Sequence, residues 1–525
     1  MTSTTSIKSV YNSHPLVRAT AIASGIAATA LTLLAVKYPD CAVFDEHRDD
    51  IPHGKGGWPL VGALPQLVSN KEKMHEFLLE NYEELNTLTL TSSALGIPRS
   101  ISTIDPANVE HILKVNFENY VKGPQMNGAM SDLFGHGIFN ANGEQWKYQR
   151  KTASHIFNVK NFRDQFTDVF VQEIGIMNKL FDEAAQTGEA IDFHDIMFKF
   201  TLDSFILLGF GVQLNALTTN GKVPFAASFD ECQKNCFQRF LNPIWTFTES
   251  VQSIIQPWKM TIKQHLEIVD TFANNVIDQR RELLEAIERG DSQEEMPKDL
   301  LSRFMKANNE HNEPLNNKEL RDMILNFVIA GRDTTAQALS WEFYSLLLNP
   351  HVEEKLLEEI SLHIRENMDA PALYEAIKDM KYAHAVFYET LRLYPSVPLN
   401  QKYALDDDIW PDGTHIRKGD YVVHCPWAEG RSTRVWGPDA KEFKPERWIT
   451  PEGTLRRESQ GQWPAFHAGP RVCLGQNLAT LEALVATIFL IKRYKFTLAP
   501  DQEVTYQVSL TLPMKNGMKV YVQPR

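Results

Sequence analysis

From Ala19 to Val36 the chain runs eighteen residues without a charge, bounded by Arg18 and Lys37. Wound as a helix, that run is about 27 Å long, close to the hydrocarbon thickness of a bilayer. Seven of the eighteen are Ala and three are Thr, so Leu31-Thr32-Leu33-Leu34 is its most apolar part. The run is long for a signal-peptide core and lacks the Arg-rich pattern of a transit peptide, so it reads as one uncleaved membrane anchor. Lys8 and Arg18 precede it and Lys37, Arg48 and Lys55 follow it, a balance that gives no orientation. The Pro- and Gly-rich stretch Ile51–Pro59 then forbids a continuing helix. The expected organisation is an N-terminal segment 1–38 with the anchor at 19–36, a linker or hinge at 39–60, and a catalytic body at 61–525.

Between about residues 70 and 400, apolar positions recur at helical 3–4 spacing. The clearest case starts at Asn316 and Glu319, which stand at capping-box spacing. Leu320, Met323, Ile324, Phe327, Val328, Ala338, Trp341 and Leu348 follow on one stripe until Asn349-Pro350 ends it. Such a helix of about thirty residues is roughly 45 Å long and must cross most of the molecule. Short alternating runs predict strands at Thr87–Thr91, Tyr421–His424, Lys495–Leu498 and Lys519–Gln523. The broken, charged stretch from Arg289 to Lys298 predicts a solvated loop. The fold class expected is mainly α with a minor β part, in one large body.

Composition sharpens this only by exclusion. With 43% apolar and 23% charged residues, the chain is neither disordered nor a multi-span membrane protein. Its 53 basic against 66 acidic residues leave a net charge of −13, which argues for no nucleic-acid partner. Five scattered cysteines include no C-x-x-C pair, so neither a disulfide framework nor a structural zinc site is expected. The body should face a reducing compartment.

Candidate chemistry concentrates in four strings. Phe466-His467-Ala468-Gly469-Pro470-Arg471-Val472-Cys473-Leu474-Gly475 sets a lone cysteine in a Gly-rich turn before a helix. A helix starting there would aim N–H groups at the sulfur and favour a metal-ligating thiolate. Gly469 and Gly475 would let a flat cofactor approach the backbone. Ala330-Gly331-Arg332-Asp333-Thr334-Thr335 falls mid-helix, where glycine costs up to about 1 kcal/mol and needs a reason, such as room for oxygen and substrate. Thr334 could bond a carbonyl one turn back and open the helix locally, while Arg332 should pair away from the pocket. Trp146 and Arg150 share a helical face, able to donate to a carboxylate. Cys232 and Cys236 also share a face, but no His or acid completes a ligand set nearby, so they read as helix packing.

The F-x-x-G-x-R-x-C-x-G pattern, Glu389-Thr390-Leu391-Arg392 and Pro445-Glu446-Arg447-Trp448 together resemble the cytochrome P-450 family over nearly all of residues 50–525. The resemblance implies that family's fold, preceded by the single anchor helix, and haem b held by Cys473 as the thiolate ligand of its iron. It implies Glu389, Arg392 and Arg447 as a structural ion cluster. Trp146, Arg150, Arg471 and Lys402 become haem-propionate partners, with Phe466 and Gly469 in the cofactor loop. Asp333 and Thr334 become the acid–alcohol pair that delivers protons during oxygen activation.

The reaction so implied puts one atom of O2 into a C–H bond of a lipophilic substrate and releases the other as water. Electrons would come from a separate NADPH-dependent flavoprotein reductase docking on the Cys473 side, with Lys147, Arg150 and Lys151 as basic contacts. Gly123-Pro124, Gly137–Asn140, the Ala330–Thr335 string, Phe466–Arg471 and Ser509–Met514 together look like the fatty-acid ω-hydroxylase branch. His467 and Gln476-Asn477 depart from its commoner residues. The pocket should draw on Phe117–Phe139, Phe205–Trp245, Phe327–Thr334, Ser396–Gln401 and Ser509–Leu512. Sterols, alkanes or xenobiotics remain alternative substrates, and a non-oxidative isomerase or dehydratase, or a haem-binding sensor, remain alternative functions. The expected location is the endoplasmic reticulum membrane, with the body cytosolic.

Overall fold

The computed structural model describes residues 15–155, 165–293, 295–297 and 299–525. Lys8 and Lys298 of the sequence reading lie outside them. The N-terminal run forms a helix over Pro15–Lys37, and none of its apolar window is buried against protein. Leu16, Ile22, Ile26, Leu31, Leu33 and Val36 all stand exposed. Thr20, Thr29 and Thr32 donate their hydroxyls to the carbonyls four residues back. The three threonine hydroxyls are thereby satisfied within the helix, as a lipid environment demands.

The segment after the anchor is not a free linker. Cys41, Ala42, Arg48 and Ile51 are buried. The Val43 N–H donates to the Leu60 carbonyl at 2.8 Å, the Gly54 N–H to the Thr91 carbonyl at 2.9 Å, and the Thr91 N–H to the Pro52 carbonyl at 2.8 Å. Arg48 pairs with Asp50 at 2.6 Å and with Asp420 at 3.5 Å. Proline and glycine stop the helix here, yet leave the backbone extended enough to dock beside a strand.

The body is mainly helical. A five-stranded sheet runs in the order Thr89–Ala94, Ile97–Thr103, Tyr421–His424, Asn400–Ala404, Tyr120–Val121. Its one parallel pair joins Ile97–Thr103 to Tyr421–His424. A second sheet sets Lys519–Pro524 between Ile191–Asp192 and Tyr494–Leu498. All four expected strands are present. Ile97–Thr103 and Asn400–Ala404 were missed, because Pro98, Arg99 and the Asn400-Gln401-Lys402 run break any alternation.

The long helix begins at Asn317 under the full Asn316–Glu319 capping box. It is interrupted by a π-helical turn over Ile329–Asp333 and resumes from Thr334 to Leu348. It is buried on every face, with Arg321, Asp322, Asn326, Gln337, Ser340 and Glu342 as deep as its apolar stripe. A helix buried all round must satisfy those polar groups locally. Asn326 and Gln337 do so by holding the Gly135–Phe139 turn and the Thr511-Leu512 segment.

Candidate active site

Two single 3-10 turns, Pro464–Phe466 and Gly469–Arg471, lead to Cys473, and the helix Gln476–Arg493 starts just beyond it. The Cys473 N–H donates to the Phe466 carbonyl at 2.9 Å. The other four cysteines are buried, and Cys473 alone is accessible. The thiol is surrounded by protein at longer range, so desolvation pushes its pKa up, opposed by the Gly475 N–H and the Arg150 charge.

Gly469 is required for a different reason than expected. Its φ is +62°, and a Cβ there would run into the Leu113 carbonyl oxygen. Close approach of the His111–Val115 turn therefore demands glycine, whatever a cofactor needs. At Gly475 a Cβ would meet Cys473 Sγ at 3.8 Å, an ordinary contact. His467 adopts φ 64°, ψ −169°, a region that costs a non-glycine residue about 1–3 kcal/mol.

Four cations converge beside this loop. Arg471 lies 4.5 Å and Arg150 5.8 Å over the Trp146 ring. Arg471 donates to the Ala141 carbonyl at 2.7 Å, and Arg150 to the Val472 carbonyl at 2.7 Å. Arg150 thus turns inward and is not a surface contact for a partner. Lys402, buried on its strand, is held well below the usual lysine range by desolvation, Lys122 and Arg471. Lys122, which the sequence did not single out, is lowered to about 7 by burial and by Arg471. Burial and Arg150 bring Arg471 down to about 10. Among the described residues, no carboxylate lies within ion-pair distance of these four cations.

Buried like charges without a counter-ion are costly, and they fit a ligand that brings anions. A planar group with two carboxylates and a metal that takes a thiolate matches this donor set. Haem is such a group. In the cysteine loop Phe466 is half-buried with its ring 5.8 Å from Trp463, a packing contact.

The π turn carries the second cluster. Thr334 Oγ1 donates to the Ala330 carbonyl at 2.7 Å, the one-turn-back bond anticipated above. Ser396 Oγ donates to the Thr334 carbonyl at 2.7 Å, a partner no spacing in the sequence indicated. Asp333 is buried and accepts from Gln233 Nε2 at 2.7 Å. Burial lifts its carboxyl to about 6 against the pull of Arg332. Arg332, expected to pair away from the pocket, bonds the half-exposed Asp230 at 2.6 Å and also reaches Asp333 at 3.2 Å. A helix twist of 100° per residue separates the side chains at their roots, but a long guanidinium stem folds back. At Gly331 the available room is filled by the Phe205 ring, which a Cβ would overlap. Phe205 thus packs directly against the turn at Gly331.

Glu389 is fully buried and takes a bidentate grip from Arg392, both bonds 2.7 Å. Arg447 stands 3.5 Å away, and Trp448 Nε1 donates at 2.9 Å. Arg392 also donates to the carbonyls of Ala440 at 2.6 Å, Glu442 at 2.9 Å and Gly430. The cluster thus ties its helix to the segment that precedes the cysteine loop. Cys232 and Cys236 are buried on the helix Pro224–Leu241, and burial pushes the Cys236 thiol up to about 12.

A family model described as Cytochrome P450 matches residues 52–518. Cytochrome P450 704B1 of Arabidopsis thaliana is 36% identical over 510 residues, covering 90% of this chain and 95% of the relative. Cytochrome P450 monooxygenase cyp1 of Mycosarcoma maydis is 36% identical over 504 residues, 93% of this chain and 77% of the relative. Cytochrome P450 86B1 of Arabidopsis thaliana is 34% identical over 479 residues, 88% and 84%. An accessible thiol, a ring of unpaired cations and a match of this span lead to one conclusion: the chain belongs to the cytochrome P450 family, whose cofactor is haem with a cysteine thiolate ligand.

Proposed function

We propose that the protein hydroxylates fatty acids at or near the chain end, with Cys473 as the haem ligand. The observation that carries the monooxygenase reading is the pairing of one accessible thiol with a buried acid–alcohol turn. When bound, haem supplies dioxygen activation, to which a thiolate ligand contributes electron density. Arg471, Arg150, Lys402 and Lys122, with the Trp146 indole, hold the two propionates. Their mutual repulsion is relieved by those carboxylates, so haem binding and local order reinforce each other.

Asp333 holds a proton that Thr334 Oγ1 passes inward. With its carboxyl near 6, Asp333 sits within about one unit of neutral pH and can both take up and release that proton. Arg332 cannot act as a relay, because a guanidinium stays charged. It holds Asp333 in register with Asp230, whose side chain is half exposed. Glu389, Arg392 and Arg447 are structural.

The fatty-acid reading rests on the strings of the ω-hydroxylase branch. Gly137–Asn140 and Ser509–Met514 bracket the π turn, bonded to Asn326 on one side and to Gln337 and Trp341 on the other. Val397 and Phe139 remain accessible among buried neighbours, apolar surface suited to a hydrocarbon chain. A separate NADPH-dependent flavoprotein reductase supplies the electrons, met by the exposed Lys147 and Lys151. The exposed anchor helix, with Phe44, Trp58 and Ile244–Trp258 projecting apolar side chains, supports a body resting on the endoplasmic reticulum membrane. The test is a spectral titration with fatty acids of graded length, sterols and aromatic compounds. A low-to-high-spin shift confined to fatty acids, with NADPH-dependent product, is expected. A shift given by sterols or aromatics alone rejects the substrate class.

A further inference from the structure

The joint between anchor and body holds a second group of donor atoms, remote in sequence from the cysteine loop. Asp40, Cys41 and His47 bring a carboxylate oxygen, a thiol and a ring nitrogen within 4.8 Å of one another. His53 joins them, its ring stacked 4.3 Å from that of His47 and its Nδ1 4.0 Å from the other Asp40 oxygen. His53 Nε2 lies 3.0 Å from the Arg48 carbonyl and 3.4 Å from the Arg48 N–H. His47 Nε2 lies 3.1 Å from Asp49 Oδ1. Both Nδ1 atoms face Asp40, with His47 Nδ1 3.1 Å from Oδ1. A carboxylate, two imidazole nitrogens and a thiol gathered here are donors that one cation can share.

The geometry points to a transition-metal site at this joint, and we propose that Asp40, Cys41, His47 and His53 bind Zn2+. One oxygen, one sulfur and two imidazoles form a tetrahedral set of the kind zinc favours. Bonds of about 2.0–2.3 Å hold tetrahedral donors roughly 3.3–3.8 Å apart, so binding draws the Asp40, Cys41 and His47 atoms together and turns the His53 ring out of its stack on His47. Arg48 and Asp49 serve as the outer partners that orient ligating imidazoles. The absence of C-x-x-C spacing hid the site from the sequence: its donors come from the bend just past the N-terminal helix and from the loop folded back beside it. A metal here would fix the angle between Lys37, where the membrane helix ends, and the docked segment that follows.

The experiment uses the full-length, haem-loaded protein in detergent, exposed to Zn2+ and freed of excess by gel filtration. About one zinc per haem is expected, with one zinc–sulfur bond of about 2.3 Å by X-ray absorption at the zinc edge. That measurement is blind to the haem iron and needs no variant. Cys41→Ser should remove the sulfur scatterer, and His47→Ala with His53→Ala should lower zinc affinity at least tenfold at unchanged haem content. No retained zinc, or zinc bound without sulfur, overturns the proposal. So does zinc whose sulfur bond survives Cys41→Ser.

Discussion

Thr334 presents its hydroxyl to Ala330 and its carbonyl to Ser396, so Thr334→Ala removes one donor without disturbing the helix. Haem content and substrate affinity should be unchanged. Product per NADPH should fall several-fold while hydrogen peroxide rises to match; unaltered coupling would leave Thr334 as a helix residue only. Glu342, two turns along, poses a different question. It is buried with one oxygen bonded to Thr487 at 2.7 Å and the other without a partner. Burial lifts its carboxyl to about 8 from an ordinary 4.5. The native state therefore keeps this proton to higher pH than the unfolded chain, so stability falls as pH rises from about 4.5 to 8. At about 1.4 kcal/mol per unit, the loss reaches the order of 5 kcal/mol above pH 8. Glu342→Gln keeps the Thr487 bond and removes the charge. Its thermal midpoint should overtake that of the parent between pH 6 and pH 8, and parallel pH profiles would refute the assignment.

At the scale of elements, the π turn Ile329–Asp333 is where the long helix departs from regularity. Its glycine answers to Phe205 on the helix Phe193–Phe210. Gly331→Ala forces the ring off its seat and should destabilise the protein by about 1–3 kcal/mol, the usual cost of overpacking. Phe205→Leu should restore much of that loss when combined with it, although alone it is destabilising. Additive effects in thermal or denaturant unfolding would show that the two residues do not share this contact. The helix itself was legible from Asn316 to Asn349, because capping and periodicity are local. Its interruption was signalled by the mid-helix glycine and by Thr334, whose hydroxyl was expected to bond one turn back. The packing partner that explains the glycine lies 126 residues away and left no mark on the spacing.

For the whole molecule, the docked segment 39–60 changes where the anchor can be cut. Removing residues 1–38 takes away the exposed helix and one backbone bond, from the Leu60 N–H to the Tyr38 carbonyl, and should yield a soluble, haem-loaded protein. Removing residues 1–50 also deletes Arg48 and Asp50, exposes the surface beneath Ala42 and leaves Asp420 buried with one guanidinium fewer. Losing one partner of a buried pair costs about 3–5 kcal/mol. The shorter form should therefore lose haem at lower temperature, by absorbance of the reduced, carbonyl-bound state. Equal melting of both truncations would return the segment to the status of a linker.

The cysteine loop, the Glu389–Arg392 pair, the capped long helix and the N-terminal apolar helix were all readable along the chain. Each depends on neighbours within a few turns, where covalent spacing dictates which side chains can meet. The cation ring could be read only in part. Trp146, Arg150 and Arg471 belong to recognisable strings, but Lys122 joins them only because its segment crosses beside the Asn400–Ala404 strand. Gln233, Asp230 and Ser396 reach the acid–alcohol turn from separate elements in the same way. Their contribution is electrostatic, and charges act through distance in space rather than separation in sequence. Tertiary structure alone decided which cations share one low-dielectric site, and hence which protons and anions that site can hold.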